Sequence, residues 1–138
     1  MTSPRPVMGS LGWLDLTVES ATETARFYEA VAGWTSQGVD MGGYEDHTMM
    51  AADGTPVAGV CHARGINADL PAQWMVYIHV PDLDASLVQV EGGGGEVVTP
   101  PRDVGGSGRF SVIRDPAGAL IALYQAKTAP PSLTEDPS

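Results

Sequence analysis

The chain has 138 residues, a single cysteine and a net charge of −10, with Lys127 its only lysine. That length supports one domain with a core of its own, free of disulfide or metal staples. Such an acidic surface repels phosphate backbones and anionic lipid, and no apolar run reaches spanning length, so nucleic acid and membrane are excluded as partners. The few scattered arginines also argue against a phosphonate or a glutathione conjugate as ligand, since either needs clustered cations. The lone Cys61 rules out an intrachain disulfide. With an N-terminus that lacks signal-peptide regions, it predicts a reducing, cytoplasmic setting.

Residues 1–9 read as a flexible lead-in. Residues 10–18 alternate as a strand, with Leu14, Leu16 and Val18 on one face and Trp13, Asp15 and Thr17 on the other. Ser20 with Glu23 three residues on predicts a capped helix, striped by Ala25, Tyr28, Val31 and Ala32 and stopped by Gly33. Weaker strands follow over 34–40 and 44–51, then a better one over 57–62. Residues 63–72 have the composition of a linker. Trp74 to Val80 is again a strand. Asp82 caps a second helix carrying Leu83, Leu87 and Val90, and the run Gly92–Gly95 ends it. A glycine run after a helix lacks the strand-before-helix context of a phosphate loop and reads as a cap and turn. Residues 96–99 form a short strand and 100–108 a loop. Two β-prone runs, 110–114 and 119–124, then turn on Asp115, Pro116, Ala117 and Gly118, where proline presets φ and glycine closes the bend. Residues 127–138 read as a disordered tail.

The two halves repeat. Trp13 and Met75, Val18 and Val80, and Gly33 and Gly95 each lie 62 residues apart, while the turn glycines Gly54 and Gly118 lie 64 apart. The chain is therefore expected to be an α+β fold of two tandem βαβββ modules in a single domain, 10–126. The first module covers about 10–62 and the second about 73–126. Their strands are expected to form a curved mixed sheet with helices outside and a central cleft, the place for a ligand.

The stretches Trp13–Val18, Phe27–Trp34, Val80–Asp84, Gly94–Val98 and Asp115–Ala122 together resemble the vicinal oxygen chelate superfamily, which holds glyoxalase, bleomycin-resistance and extradiol dioxygenase proteins. The resemblance runs from about Leu11 to Gln125. It implies homodimerisation, and it implies metal ligands at the start of the first strand and near the end of the last strand of each module. Those positions fall on Trp13, Ala58, Met75 and Ala122. Indole only donates, the Met75 sulfur is soft and alanine has no donor, so the usual divalent centre is expected to be absent and no cofactor is expected.

Strand parity then predicts a lining of Trp13, Asp15 and Thr17; Ala58, Val60 and His62; Met75, Tyr77 and His79; and Leu120, Ala122 and Tyr124. Asp15 stands out, because a carboxylate between leucines on a central strand is paired, hydrated or raised in pKa. Cys61, of opposite parity to Ala58, is expected against a helix, and Asp46 with His47 is expected as a solvated turn flank. Three functions fit. The chain binds a neutral or cationic hydrophobic small molecule. Alternatively, it is a metal-independent isomerase, epimerase or lyase using Asp15 with His79 or Tyr77, or a divalent-metal enzyme built on Asp15, His62 and His79. A blander class is an interaction module whose cleft is closed by dimer packing. Whether the chain is an enzyme stays open on these residues.

Overall fold

The computed structural model describes residues 6–104 and 106–127. Residues 1–5 of the expected lead-in and 128–138 of the expected tail lie outside the described residues. The element order is β1 (Leu11–Val18), α1 (Ala21–Ala32), β2 (Thr35–Asp40), β3 (Glu45–Met50), β4 (Pro56–His62), a 3-10 turn (Gly65–Asn67), β5 (Trp74–His79), α2 (Leu83–Gly92), β6 (Glu96–Val97), β7 (Arg102–Asp103), β8 (Gly108–Arg114) and β9 (Leu120–Ala126). This is an α+β chain of two βαβββ modules. Its contacts gather into two compact units, Trp13–Val76 and the described parts of Met1–Gly12 with Tyr77–Ser138.

In the first unit the strands run in the order β2, β3, β4, β1. β1 and β4 are parallel, with Asp15 opposite Gly59, Leu16 opposite Val60 and Thr17 opposite Cys61. The β2–β3 and β3–β4 pairs are antiparallel, the latter with a register irregularity between Met49 and Met50. From Tyr77 of β5 onward the second unit repeats the pattern as β5, β9, β8, β6, with β5 and β9 parallel and the remaining pairs antiparallel. Arg102–Asp103, expected inside a loop, instead pairs with β8. The expected linker carries the 3-10 turn.

The duplication extends to individual hydrogen bonds. Ala51 N–H donates to Thr55 O (2.9 Å) and Gly54 N–H to Ala51 O (2.9 Å). Sixty-four residues on, Asp115 N–H donates to Ala119 O (2.8 Å) and Gly118 N–H to Asp115 O (2.9 Å). Gly54 and Gly118 have φ of +86° and +95°, values that favour glycine.

The caps are unequal. Asp82, in extended backbone, accepts Ala85 N–H at 3.2 Å, while Ser20 makes no side-chain cap bond. The expected capping box at Ser20 is thus corrected. Its φ and ψ of −104° and 56° lie outside the extended region from which a hydroxyl reaches the first turn. Gly33 adopts the left-handed C-cap as expected, its N–H on Glu29 O.

Each unit packs its helix on one sheet face. In the first, Ala21 and Ala25 of α1 meet Met49, Ala58 and Val60, all at most 1% exposed, with Leu14, Val18, Tyr28, Trp34 and Trp74 around them. Small residues on both surfaces let helix and sheet approach closely. Trp74 Nε1–H donates to Tyr28 Oη at 3.1 Å. In the second, Leu83 of α2 packs with Ile113 and Leu123, flanked by Ile78, Val80, Leu87, Val90 and Ile121. Each such side chain contributes about 1.5–3 kcal/mol of burial. Ordered pairing also reaches back to Gly9, whose N–H donates to His79 O at 2.7 Å. Among the described residues, no helix is long and apolar enough to cross a membrane.

Candidate functional site

Because side chains alternate along a strand, the helix-facing set Leu14, Leu16 and Val18 leaves Trp13, Asp15 and Thr17 on the opposite face of β1. Trp13 Nε1–H donates to Asp15 Oδ1 at 2.9 Å. Across the register Asp15 meets Gly59, and a Cβ built on Gly59 would overlap Asp15 Oδ1 and crowd the Trp13 indole nitrogen. The carboxyl therefore lies close against bare backbone, held by an indole N–H. Burial is the largest influence on it and raises its pKa from 3.8 to about 6. The Trp13 hydrogen bond opposes this, and the charge of Asp46 adds to it. A carboxyl poised there exchanges its proton close to neutral pH and, when ionised, attracts a cation or a hydroxyl donor.

The parity expected for β4 is corrected. Ala58 and Val60 are fully buried against α1, because their register partners in β3 and β1, Met49 and Leu16, lie on that side. Gly59 and Cys61 share the face of Asp15. Cys61, expected against the helix, sits instead within reach of the Asp15 and Asp46 charges. Burial first, then those charges, push its thiol far above the ordinary range. The resemblance placed a ligand position on Ala58; the neighbour that does face Asp15 is Gly59, which has no side chain.

Asp46 and His47 are not a solvated flank either. Asp46 Oδ1 accepts the His62 backbone N–H at 2.8 Å and lies 3.3 Å from His62 Nδ1, with side-chain exposures of 14% and 17% for the pair. His47 Nε2 lies 3.1 Å from Thr22 Oγ1 in the first turn of α1. Tyr44 stands edge-on to His62, ring centroids 5.3 Å apart, and the Arg64 guanidinium carbon lies 4.1 Å above the Tyr44 ring. Sequence reasoning set Asp46 aside as a solvated flank and gave Tyr44 and Arg64 no site role. The available signal was the position of Asp46 at the start of a strand antiparallel to the one that ends in His62.

The second unit carries the other expected residues apart from Met75, which belongs to the first. Tyr77 and His79 face Ala122 and Tyr124 across the β5–β9 register. The Tyr77 and Phe110 rings stand 5.6 Å apart, as do those of His79 and Tyr124. Tyr124 Oη donates to Ser107 O at 2.9 Å. The His79 ring presses on Gly12, where a Cβ has no room, and its Nδ1 is buried with no hydrogen-bond partner among the described residues. Met75 is buried, Ala122 fully so, and Leu120 partly. A groove of about 390 Å³ near the start of β8 is lined by Asp103, Gly108, Arg109, Gln125 and Lys127. Its Arg109 is already engaged by Asp84 at 3.3 Å and Gln125 at 3.4 Å.

The divalent centre implied by the resemblance does not fit these residues. Trp13 spends its only donor on Asp15, Ala58 lies in the core, and neither Met75 nor Ala122 offers nitrogen or carboxylate. The replacement set Asp15, His62 and His79 is divided between the two units. No group of three or more His, Cys, Asp or Glu side chains suited to a metal occurs among the described residues, and His62 is taken up by Asp46.

Comparison with known proteins bears on what this scaffold is. Residues 10–123 match the Glyoxalase/Bleomycin resistance protein/Dioxygenase superfamily. The chain is 36% identical over 129 residues to the anthracycline biosynthesis protein DnrV of Streptomyces peucetius, an alignment covering 85% of this chain and 47% of that protein. It is 35% identical over 128 residues to the putative glyoxylase CFP32 of Mycobacterium bovis, covering 86% and 46%. The chain thus spans about half the length of the curated relatives it matches. Among solved structures, the Mn(II)-bound glyoxalase of Novosphingobium aromaticivorans is similar with a TM-score of 0.54 and 20% identity, over 93% of this chain and 43% of that one. Methylmalonyl-CoA epimerase of Mycobacterium tuberculosis is similar with a TM-score of 0.53 and 18% identity, over 92% and 94%. At these identities the two structures speak for the fold alone. Two βαβββ modules of matching strand order, joined to a family match over nearly all of the described residues, make this chain a member of the glyoxalase/bleomycin resistance protein/dioxygenase superfamily.

Proposed function

We propose that the chain binds a neutral or cationic hydrophobic small molecule on the Trp13–Asp15–Thr17 face of its first module, without the divalent centre used by metal-bearing relatives. The observation that carries this reading is the seating of Asp15 on Gly59. A carboxylate desolvated there, and stiffened by the Trp13 indole, is a directional acceptor for an ammonium or hydroxyl group. The Trp13 ring, 36% exposed, supplies an apolar and cation-attracting wall beside it. The net charge of −10 favours approach of cations over anions. Relatives named for anthracycline biosynthesis and for glyoxylase activity also point to small organic molecules rather than macromolecules. Homodimerisation, expected from the resemblance, belongs to the same reading and is measured by native mass.

Calorimetric titration tests it with three matched probes that differ only in an amine, an alcohol or a carboxylate on one planar aromatic frame. Amine and alcohol bind in the presence of a chelator and the carboxylate does not. Asp15→Asn weakens the amine by roughly 10- to 100-fold, the worth of one charge-assisted hydrogen bond. Equal binding of all three probes, or binding that vanishes on chelation, contradicts the proposal.

A second reading is favoured by the raised pKa of Asp15: a carboxyl near 6 suits proton transfer in a metal-independent isomerase, epimerase or lyase reaction. Asp15→Asn separates the two. A measurable turnover lost with binding of its substrate intact supports catalysis.

A further inference from the structure

At the end of β4 the His62 imidazole and the Arg64 guanidinium meet one aromatic ring, Tyr44, and the Asp46 carboxylate backs the imidazole. Asp46 Oδ1 takes the His62 backbone N–H at 2.8 Å, which anchors the carboxylate, and faces His62 Nδ1 at 3.3 Å. An ionised carboxylate only accepts hydrogen bonds, so this contact is a hydrogen bond when the imidazole carries a proton on Nδ1, the tautomer that keeps the lone pair on Nε2. Tyr44 touches the imidazole edge-on at 5.3 Å and bears the Arg64 guanidinium 4.1 Å above its face. Arg64 is exposed, and Tyr44 and His62 are half-buried, so the cluster is reachable from solvent at its rim.

We infer that Asp46 and His62 form an acid–base dyad that takes a proton from a planar, weakly acidic small molecule, a phenol or an enolisable carbonyl compound. Arg64 on Tyr44 holds the oxyanion that results. His62 Nε2 is the catalytic atom and Asp46 the positioning residue. For a phenol the O–H bond breaks, its proton goes to Nε2 and its electron pair stays on oxygen. For an enolisable carbonyl compound the C–H proton goes to Nε2, the C–H pair forms the new C=C bond and the carbonyl π pair moves onto oxygen. The imidazolium so formed is balanced by the Asp46 carboxylate, and the phenolate or enolate by the Arg64 guanidinium. The Tyr44 ring supplies a flat wall that suits a flat ligand. A chain of charge −10 repels preformed anions, so the ligand enters as the neutral acid and becomes an anion in place.

The test uses the intact protein and 4-nitrophenol, whose phenolate absorbs apart from its neutral form, at a pH where free probe is mostly neutral. The proposal expects a saturable rise in phenolate absorbance on adding protein. It expects that rise to fall by roughly tenfold or more in His62→Gln and in Arg64→Gln, the scale of losing a positioned base or counter-charge. Asp46→Asn is expected to weaken the rise and, in nitrogen-15 NMR, to move the His62 proton off Nδ1, a change that a merely structural role would not produce. No phenolate signal with the unsubstituted protein, or one that persists undiminished in His62→Gln, overturns the proposal. Should a variant fail to fold, the His62 tautomer of the unsubstituted protein decides: proton on Nδ1 supports the dyad, proton on Nε2 overturns it. The Asp15 reading fails separately, since absence of amine binding leaves the phenolate signal standing and the reverse also holds.

Discussion

The Asp15 carboxylate rests directly on the backbone of Gly59, its register partner, so closely that a methyl group there would overlap Oδ1. Gly59→Ala therefore displaces the carboxylate and the Trp13 hydrogen bond with it. A loss of about 1–3 kcal/mol in urea unfolding is expected, the usual cost of forcing atoms into a filled site. Adding Asp15→Ala to Gly59→Ala removes the clash, so the double variant is expected to be more stable than the sum of the two single effects predicts. Simple additivity would show that the two residues do not touch.

The raised pKa of Asp15 gives stability an unusual slope. In the unfolded chain this carboxyl titrates near 3.8 and in the folded chain near 6. Between those values the folded state binds more protons than the unfolded, so stability falls as pH rises through the window and the penalty is complete above about 6. One unit corresponds to about 1.4 kcal/mol, and solvent access at this half-buried group reduces the penalty to about 1–2 kcal/mol overall. Asp15→Asn keeps the acceptor for Trp13 and removes the charge. Its stability is expected to equal that of the parent near pH 3.5 and to exceed it by about 1–2 kcal/mol at pH 7.5. A variant weaker than the parent at pH 7.5 would mean that the carboxylate is paired and stabilised.

Cys61 should be inert for the same electrostatic reason. Burial and the charges of Asp15 and Asp46 disfavour its thiolate, the form that attacks alkylating agents. Iodoacetamide at pH 8 is expected to modify the folded chain at least about tenfold more slowly than the urea-unfolded chain. Asp15→Asn is expected to narrow that gap. Equal rates in folded and unfolded protein would place the thiol outside this environment.

The helix caps offer a comparison of like residues in unlike geometry. Asp82→Ala removes the bond to Ala85 N–H and is expected to cost about 1 kcal/mol, whereas Ser20→Ala is expected to cost only a few tenths. Equal losses in thermal unfolding would show that Ser20 caps α1 after all.

These cases mark what could be read from residues alone. The repeat was legible because turn chemistry is local: the glycines and aspartates of the two hairpins announce their own geometry. The face carrying Asp15 was legible because β1 alternates cleanly. β4 was not. Its residues Val57, Ala58, Gly59, Val60 and Cys61 are apolar on both faces, so alternation gives no sign of which side meets α1. The irregularity at Met49 and Met50 shifts the register with β3. Asp46 was read as solvated for a related reason. A charged residue next to a glycine-rich bend looks solvated until the partner strand brings His62 over it, a contact 16 residues away in the chain. Ser20 has the right residue type for a cap, and only the backbone angles remove its role.

The most direct measurement is a carbon-13 NMR titration of the Asp15 side-chain carboxyl, without and with a saturating aromatic amine. A midpoint near 6 in the free protein, displaced to lower pH when the amine binds, is the predicted result, because a bound cation favours the ionised carboxylate. A midpoint near 4 that ignores the amine would contradict both the buried seat on Gly59 and the role of Asp15 as ligand anchor.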